Sequence, residues 1–265
     1  MQEDTAHPGV AVCLGLILIG FFFAGVSSVF AIQLFSSVRL FLGEVMIIVP
    51  ALYYLHRKKY DLKQVFRIHK IDRATVIVTI LLGISVSILM DELDRIIGLF
   101  IKVPSELEKL FSDILKAESP LEFLLLFLAA VIAAAVIEEM LFRGLLLKSL
   151  ESRFEVPHAI FFSALAFAFL HLMPWLLQIL ILGLILGFLA WRSNSILPGI
   201  ILHAANNAFA LVFLNSTPET FQWYNWHSHV YPPILVVASA ITYYGFKGFY
   251  RLTEREDPSS PIVGQ

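Results

Sequence analysis

Eight apolar runs separated by polar loops limit this chain more than any other feature of its sequence. They cover about Val10 to Phe35, Val38 to His56, Ala74 to Met90, Pro120 to Leu147, Pro157 to Met173, Trp175 to Trp191, Ile196 to Leu214 and Pro232 to Tyr250. A helix crosses a bilayer with about 20 apolar residues, and inside lipid the backbone must satisfy its own hydrogen bonds, which runs of this length do as helices. Hydrophobic residues make up 58% of the chain and charged residues 15%, with a mean hydropathy of +0.79. Soluble domains hold about 45–50% apolar and about 25% charged residues. The expected fold is therefore all-α, a polytopic membrane bundle of about eight helices.

One helical domain is expected over residues 1–256, followed by a flexible Pro- and Ser-rich tail over 257–265. No internal repeat is visible. Met1-Gln2-Glu3-Asp4 lacks the basic region of a signal peptide, and the run after Gly9 is too long for its apolar core, so the first helix reads as retained. The single cysteine, Cys13, excludes an intrachain disulfide framework and reads as a small core or lipid-facing residue.

Loop charges predict the orientation. With eight helices, Arg57, Lys58, Lys59, Lys63, Arg67, Lys70 and Arg73 share a side with Lys148, Arg153, Arg192, Lys247, Arg251 and Arg255. That side holds 13 basic residues, whereas the other holds Arg95, Lys102, Lys109 and Lys116. The 13-residue side is predicted to be cytoplasmic, with both termini, in a multi-pass protein of the cell membrane. On the other side Asp91 to Ser119 is amphipathic and predicts a helix on the membrane surface, a connector or a substrate gate. Ser105 with Glu108 and Ser119 with Glu122 read as capping boxes, with Pro120 at a first helical position. Trp223, Tyr224, Trp226 and Tyr231 read as an interfacial aromatic belt.

Against this background a few polar residues stand out, because intramembrane charge is costly and marks functional sites. Glu139 and Arg143 are four apart in the fourth run and can pair on one face. Glu138 is turned about 100° from Glu139 and points elsewhere. Either Arg143 neutralises Glu139 and leaves Glu138 for chemistry, or all three hold helices together. Phe167 and His171 share a face of the fifth run, as do His203 and Asn207 of the seventh. His171 alone reads as a helix–helix donor and Asn207 alone as packing glue; His203 with Asn207 also suits a donor pair for an oxyanion. At 1.5 Å per residue, Glu138 lies about 15 Å from Lys148, His203 about 12 Å from Ser195 and His171 about 20 Å from His158. All three fall near mid-depth, as one polar cluster would require. Glu44 and Gln178 fit less well and read as structural. No serine has a base nearby and Cys13 has no supporting motif, which disfavours a Ser or Cys nucleophile.

Glu138-Glu139-x-x-x-Arg143, Phe167-x-x-x-His171 and His203-x-x-x-Asn207 together resemble the three-motif signature of the type II CAAX prenyl endopeptidases and their bacterial Abi-like relatives, the CPBP family. The resemblance covers about residues 121–214. It implies an eight-helix bundle whose active site opens to the cytoplasm. It also implies Glu138 as the base that activates water, aided by His171, and an oxyanion hole made by His203 and Asn207. Glu139, Arg143 and Phe167 would support them.

The implied partners are the bilayer and a membrane-associated or lipidated protein or peptide substrate, with no nucleic acid. Oligomeric state is left open. No cofactor is implied. An alternative is a zinc protease with Glu138, His171 and His203 as ligands, although no H-E-x-x-H motif is present. A non-proteolytic immunity, scaffold or transport protein is the second alternative.

Overall fold

Each of the eight apolar runs contains a helix in the computed structural model, which describes residues 7–31, 34–171 and 175–254. In chain order the helices are α1 (Val10–Phe30), α2 (Ser36–Arg57), the single turn α3 (Leu62–Val65), α4 (Arg73–Phe100) and α5 (Ser105–Leu115). Then come α6 (Pro120–Glu151), α7 (Val156–Phe169), α8 (Leu176–Ser193), α9 (Leu197–Leu214) and α10 (Pro232–Leu252). A 3-10 segment, Pro218–Tyr224, and a two-residue antiparallel pair, β1 (Asn225–Trp226) with β2 (His229–Val230), link α9 to α10. The expected tail after Asp257 lies outside the described residues.

Among the described residues six helices, α1, α2, α4, α6, α8 and α9, are long and apolar enough to cross a membrane. The protein is thus an integral, multi-pass helical membrane protein. Two of the eight expected spans fall short by length or composition. α7 is apolar but has 14 residues, about 21 Å of rise against a hydrocarbon core of about 30 Å. α10 has 21 residues, with Lys247 and Arg251 near its end. Lipid accounts for the exposed apolar side chains, such as Phe22 and Val29 on α1 and Ile77 and Ile84 on α4.

Polar contacts gather the loops into two ends. At one end Arg67 pairs with Glu151, Ile196 N donates to Arg67 O at 3.1 Å, and Arg192 Nη2 donates to Tyr250 O at 2.9 Å. This is the end with the basic residues counted above, of which Arg255 lies outside the described residues. At the other, Ala117 N donates to Asn215 Oδ1 at 2.7 Å, Tyr224 OH to Asp91 Oδ2 at 2.8 Å, and Val230 N to Glu92 Oε2 at 2.8 Å.

The amphipathic stretch departs from its expected form. α4 runs on to Phe100, and only Ser105–Leu115 forms a separate helix, with no buried residue. Pro104 occupies the cap of α5 without a side-chain bond, so the Ser105–Glu108 box does not form. The Ser119 cap does form: Ser119 Oγ accepts from Glu122 N at 3.2 Å, and the Glu122 carboxylate accepts from Glu118 N at 3.0 Å.

α6 carries the centre of the molecule. Its 32 residues are interrupted by two π-helical segments, Phe127–Ala133 and Met140–Leu146, which flank Ala134–Glu139. Segments of this kind are rare and concentrate at functional sites; nothing in the residue pattern announced them.

Candidate active site

Glu139 and Arg143 form the buried base of the site. Both are 0% exposed, and Arg143 Nη1 donates to Glu139 Oε1 at 2.7 Å. The guanidinium also donates from Nη2 to Gly183 O at 3.3 Å and lies over the Phe167 ring, 4.3 Å from its centroid. Its partners thus come from α6, α7 and α8, and Phe167 acts as packing for the cation. α9 approaches closely from the remaining side. A methyl group at Gly199 would collide with Glu139 Oε2, so glycine there makes room for the carboxylate.

His203, from α9, touches both glutamates. Its Nδ1 lies 3.3 Å from Glu139 Oε1, and its Nε2 lies 3.6 Å from Glu138 Oε2. An arginine-paired carboxylate accepts, so Nδ1 carries the hydrogen and Nε2 faces Glu138. His171 repeats the arrangement. Its Nδ1 donates to Phe167 O at 2.8 Å, which turns Nε2 toward Glu138 Oε2 at 3.5 Å. Glu138 Oε2 has no hydrogen-bond partner among the described residues, and the two imidazoles stand beside it at contact distance.

His171 is not within the fifth helix, where the sequence placed it near the end. α7 ends at Phe169, and His171 follows it. Because α7 is short, its end reaches only the level of Glu138, so the expected mid-depth cluster forms by a different route. The expected continuation to Met173 falls on residues 172–174, outside those described. Asn207 Nδ2 donates to Ala130 O at 2.9 Å in the first π segment. One hydrogen of that amide is thereby engaged and the other is left for the cavity.

A cavity of about 500 Å³ stands over these groups. Glu138, His171, His203, Asn206 and Asn207 line its floor, while Met90, Phe111, Leu115, Trp175 and Leu214 reach its rim. The rim lies at the α5 end of the bundle. This corrects the expectation that the site opens toward the basic loops, where Phe142, Leu145 and Leu146 close the packing with 0–1% exposure.

Gly199, Asn206 and Gln178 belong to the site and had no assigned part in it. Gln178 lines the cavity and donates from Nε2 to Met90 O at 3.3 Å. Glu44, on α2, is buried with Oε2 unpartnered among the described residues. Among those residues no group of three or more His, Cys, Asp or Glu side chains has the arrangement of a metal site. The zinc alternative therefore rests on residue types.

Residues 120–209, which contain every one of these motif residues, match the family described as type II CAAX prenyl endopeptidase, Rce1-like. The match supports placing this segment in the CPBP family. The CPBP segment spans 90 of the 265 residues, from the start of α6 into α9, and supports a CAAX-type membrane protease. Met90, Phe111, Leu115 and Leu214 of the cavity rim lie outside it. No curated protein and no solved structure matches the chain.

Proposed function

We propose that the protein is an intramembrane glutamic endopeptidase in which Glu138 activates a water molecule to hydrolyse a peptide bond. One observation carries the reading. Glu138 Oε2 has the Nε2 atoms of two histidines, from separate parts of the fold, at 3.5 and 3.6 Å. That arrangement suits a carboxylate that must take up and release a proton.

Water bound at Glu138 gives its proton to the carboxylate as its oxygen attacks the scissile carbonyl carbon. A C–O bond forms and the carbonyl electron pair moves to oxygen. Asn207 donates to this oxyanion through its remaining N–H. His203 donates from Nε2 when it carries a second proton, and the Glu139 carboxylate at Nδ1 supports that cation. Collapse of the tetrahedral intermediate breaks the C–N bond, and the proton held by Glu138 passes to the leaving amine. His171 holds Glu138 in place and can relay the same proton. No cofactor enters these steps.

We further infer a membrane-associated or lipidated peptide substrate, and a chain in the cell membrane with both termini in the cytoplasm. The zinc reading uses Glu138, His171 and His203 as ligands and differs in one test: exhaustive chelation stops it. Comparing membrane peptides from cells carrying wild-type and Glu138→Ala protein tests the activity itself. Proteolysis predicts cleaved peptides that vanish in the variant while the variant still inserts and folds. Identical peptide sets would favour a non-proteolytic role.

A further inference from the structure

We infer that Asn206 binds the backbone of the substrate, pairing with the N–H and C=O of one residue close to the scissile bond. This rests on the proteolytic reading of the site and adds a group that holds the peptide to the groups that react.

The cavity lining has three neutral amides, Gln178, Asn206 and Asn207. Two are tied to the protein. Gln178 Nε2 donates to Met90 O at 3.3 Å, and Asn207 Nδ2 donates to Ala130 O at 2.9 Å. Such bonds between helices are the usual role of an amide inside a membrane. Asn206 makes none. Among the described residues its side chain has no hydrogen bond, and it faces the cavity half-buried. Packing glue therefore describes Gln178 and Asn207 but not Asn206. Its Oδ1 and both of its Nδ2 hydrogens remain for what the cavity takes.

Position on α9 determines what those atoms reach. His203, Asn206 and Asn207 share that helix and all line the cavity. Asn206 stands about 4.5 Å along the axis from His203 and is turned about 100° from Asn207. The two asparagines thus address different atoms. With the oxyanion at Asn207, Asn206 meets a neighbouring part of the substrate. An extended chain advances about 3.3 Å per residue, which brings a residue within two of the scissile bond to Asn206.

The substrate needs such a partner. A helical carbonyl accepts the N–H four residues on, so a scissile carbonyl that turns to Asn207 and His203 has left that bond. The peptide groups beside it lose theirs too. Against apolar walls such as Ile179, Leu182, Ala210 and Leu214, an unpaired backbone group is costly. In an extended chain one residue exchanges both its N–H and its C=O with a single partner. The acceptor and donor of a primary amide match that pair. Recognition of this kind reads backbone, so it suits apolar stretches that share no sequence.

Kinetics with altered substrate backbones test the assignment. The peptide is one identified by the membrane comparison, and the protein is the purified full chain. Asn206→Leu removes the hydrogen bonding and keeps much of the bulk; Asn206→Ala is the second variant should leucine disturb the fold. KM is expected to rise about three- to tenfold, the worth of one hydrogen bond between neutral groups, with kcat unchanged, as for a lost binding contact. Substrates are then made in which one peptide bond at a time near the scissile bond becomes an ester, which deletes a single N–H. At one position the ester should raise the wild-type KM by the same factor and have no further effect in the Asn206 variant. Unchanged KM in both variants overturns the inference. So does a loss confined to kcat, or an ester effect that adds to that of the variant at every position. Those results leave the protease reading standing, because cleavage continues. Failure of the wild type to cleave any peptide would instead sink that reading and the inference with it.

Discussion

His203 Nδ1 meets Glu139 Oε1 at 3.3 Å, and this contact directs the other histidine nitrogen at Glu138. In the proposed mechanism the second glutamate therefore works through His203 and not on substrate. Gly199 protects the contact, because any side chain there would collide with Glu139 Oε2. Gly199→Ala is expected to shift the Glu139 carboxylate and leave His203 free to turn. A misplacement of about 1 Å costs about 10²-fold in rate. The expected result is a kcat lower by about that factor, with the protein still folded in detergent. An unchanged kcat would show that His203 does not need Glu139 to orient it.

Arg143→Ala removes the partner of a carboxylate with no access to solvent. Breaking a buried pair in this way costs about 3–5 kcal/mol, measured as a shift in the unfolding transition in micelles. Arg143→Lys should recover little, because an ammonium cannot bond Glu139 and Gly183 O together while lying over Phe167. Full stability of the lysine variant would mean that charge alone, without the planar fork, holds the pair.

Much of this site could be read from residue spacing. Glu139 and Arg143 pair as their four-residue separation requires, and Glu138 turns away from them toward the histidines. The mid-depth estimates for Glu138, His171 and His203 converged because rise per residue is the same in each helix. What spacing could not supply was where α7 ends. Apolar residues continue past Phe169, so the run looked like a full span, and tertiary packing alone decides that His171 lies beyond the helix. The π segments of α6 were invisible because Ala, Leu and Ile carry no mark of an i→i+5 bond. Gly199 went unnoticed since its meaning lies in a contact with another helix.

Asn207→Ala should lower kcat by about 10²–10³, the usual effect of losing one oxyanion donor, with KM little changed. The amide already donates to Ala130 O at 2.9 Å, so its orientation is fixed before substrate binds. A variant that changes KM and leaves kcat intact would move Asn207 from transition-state stabilisation to substrate binding.

Stability should also depend on pH through His7, which lies just ahead of α1. Burial, together with the nearby positive charge of Lys148, lowers its pKa from 6.5 to about 4. The unfolded chain therefore binds more protons than the folded one between those values. Stability contributed by the neutral imidazole is complete above about pH 6.5 and falls as pH drops toward about 4. Unfolding in detergent at pH 7.5 and pH 5 should differ less for His7→Phe than for wild type. Equal pH responses of the two proteins would dismiss His7 as the source.

Glu138 is the group proposed to activate water. Its most direct test is hydrolysis of a peptide identified from the membrane comparison by purified, exhaustively chelated wild-type and Glu138→Gln protein. General-base catalysis contributes about 10²–10⁴ in rate. Chelated wild type should keep its activity, and Glu138→Gln should lose at least the lower of those factors with its fold intact. Hydrolysis by Glu138→Gln at the wild-type rate would contradict it.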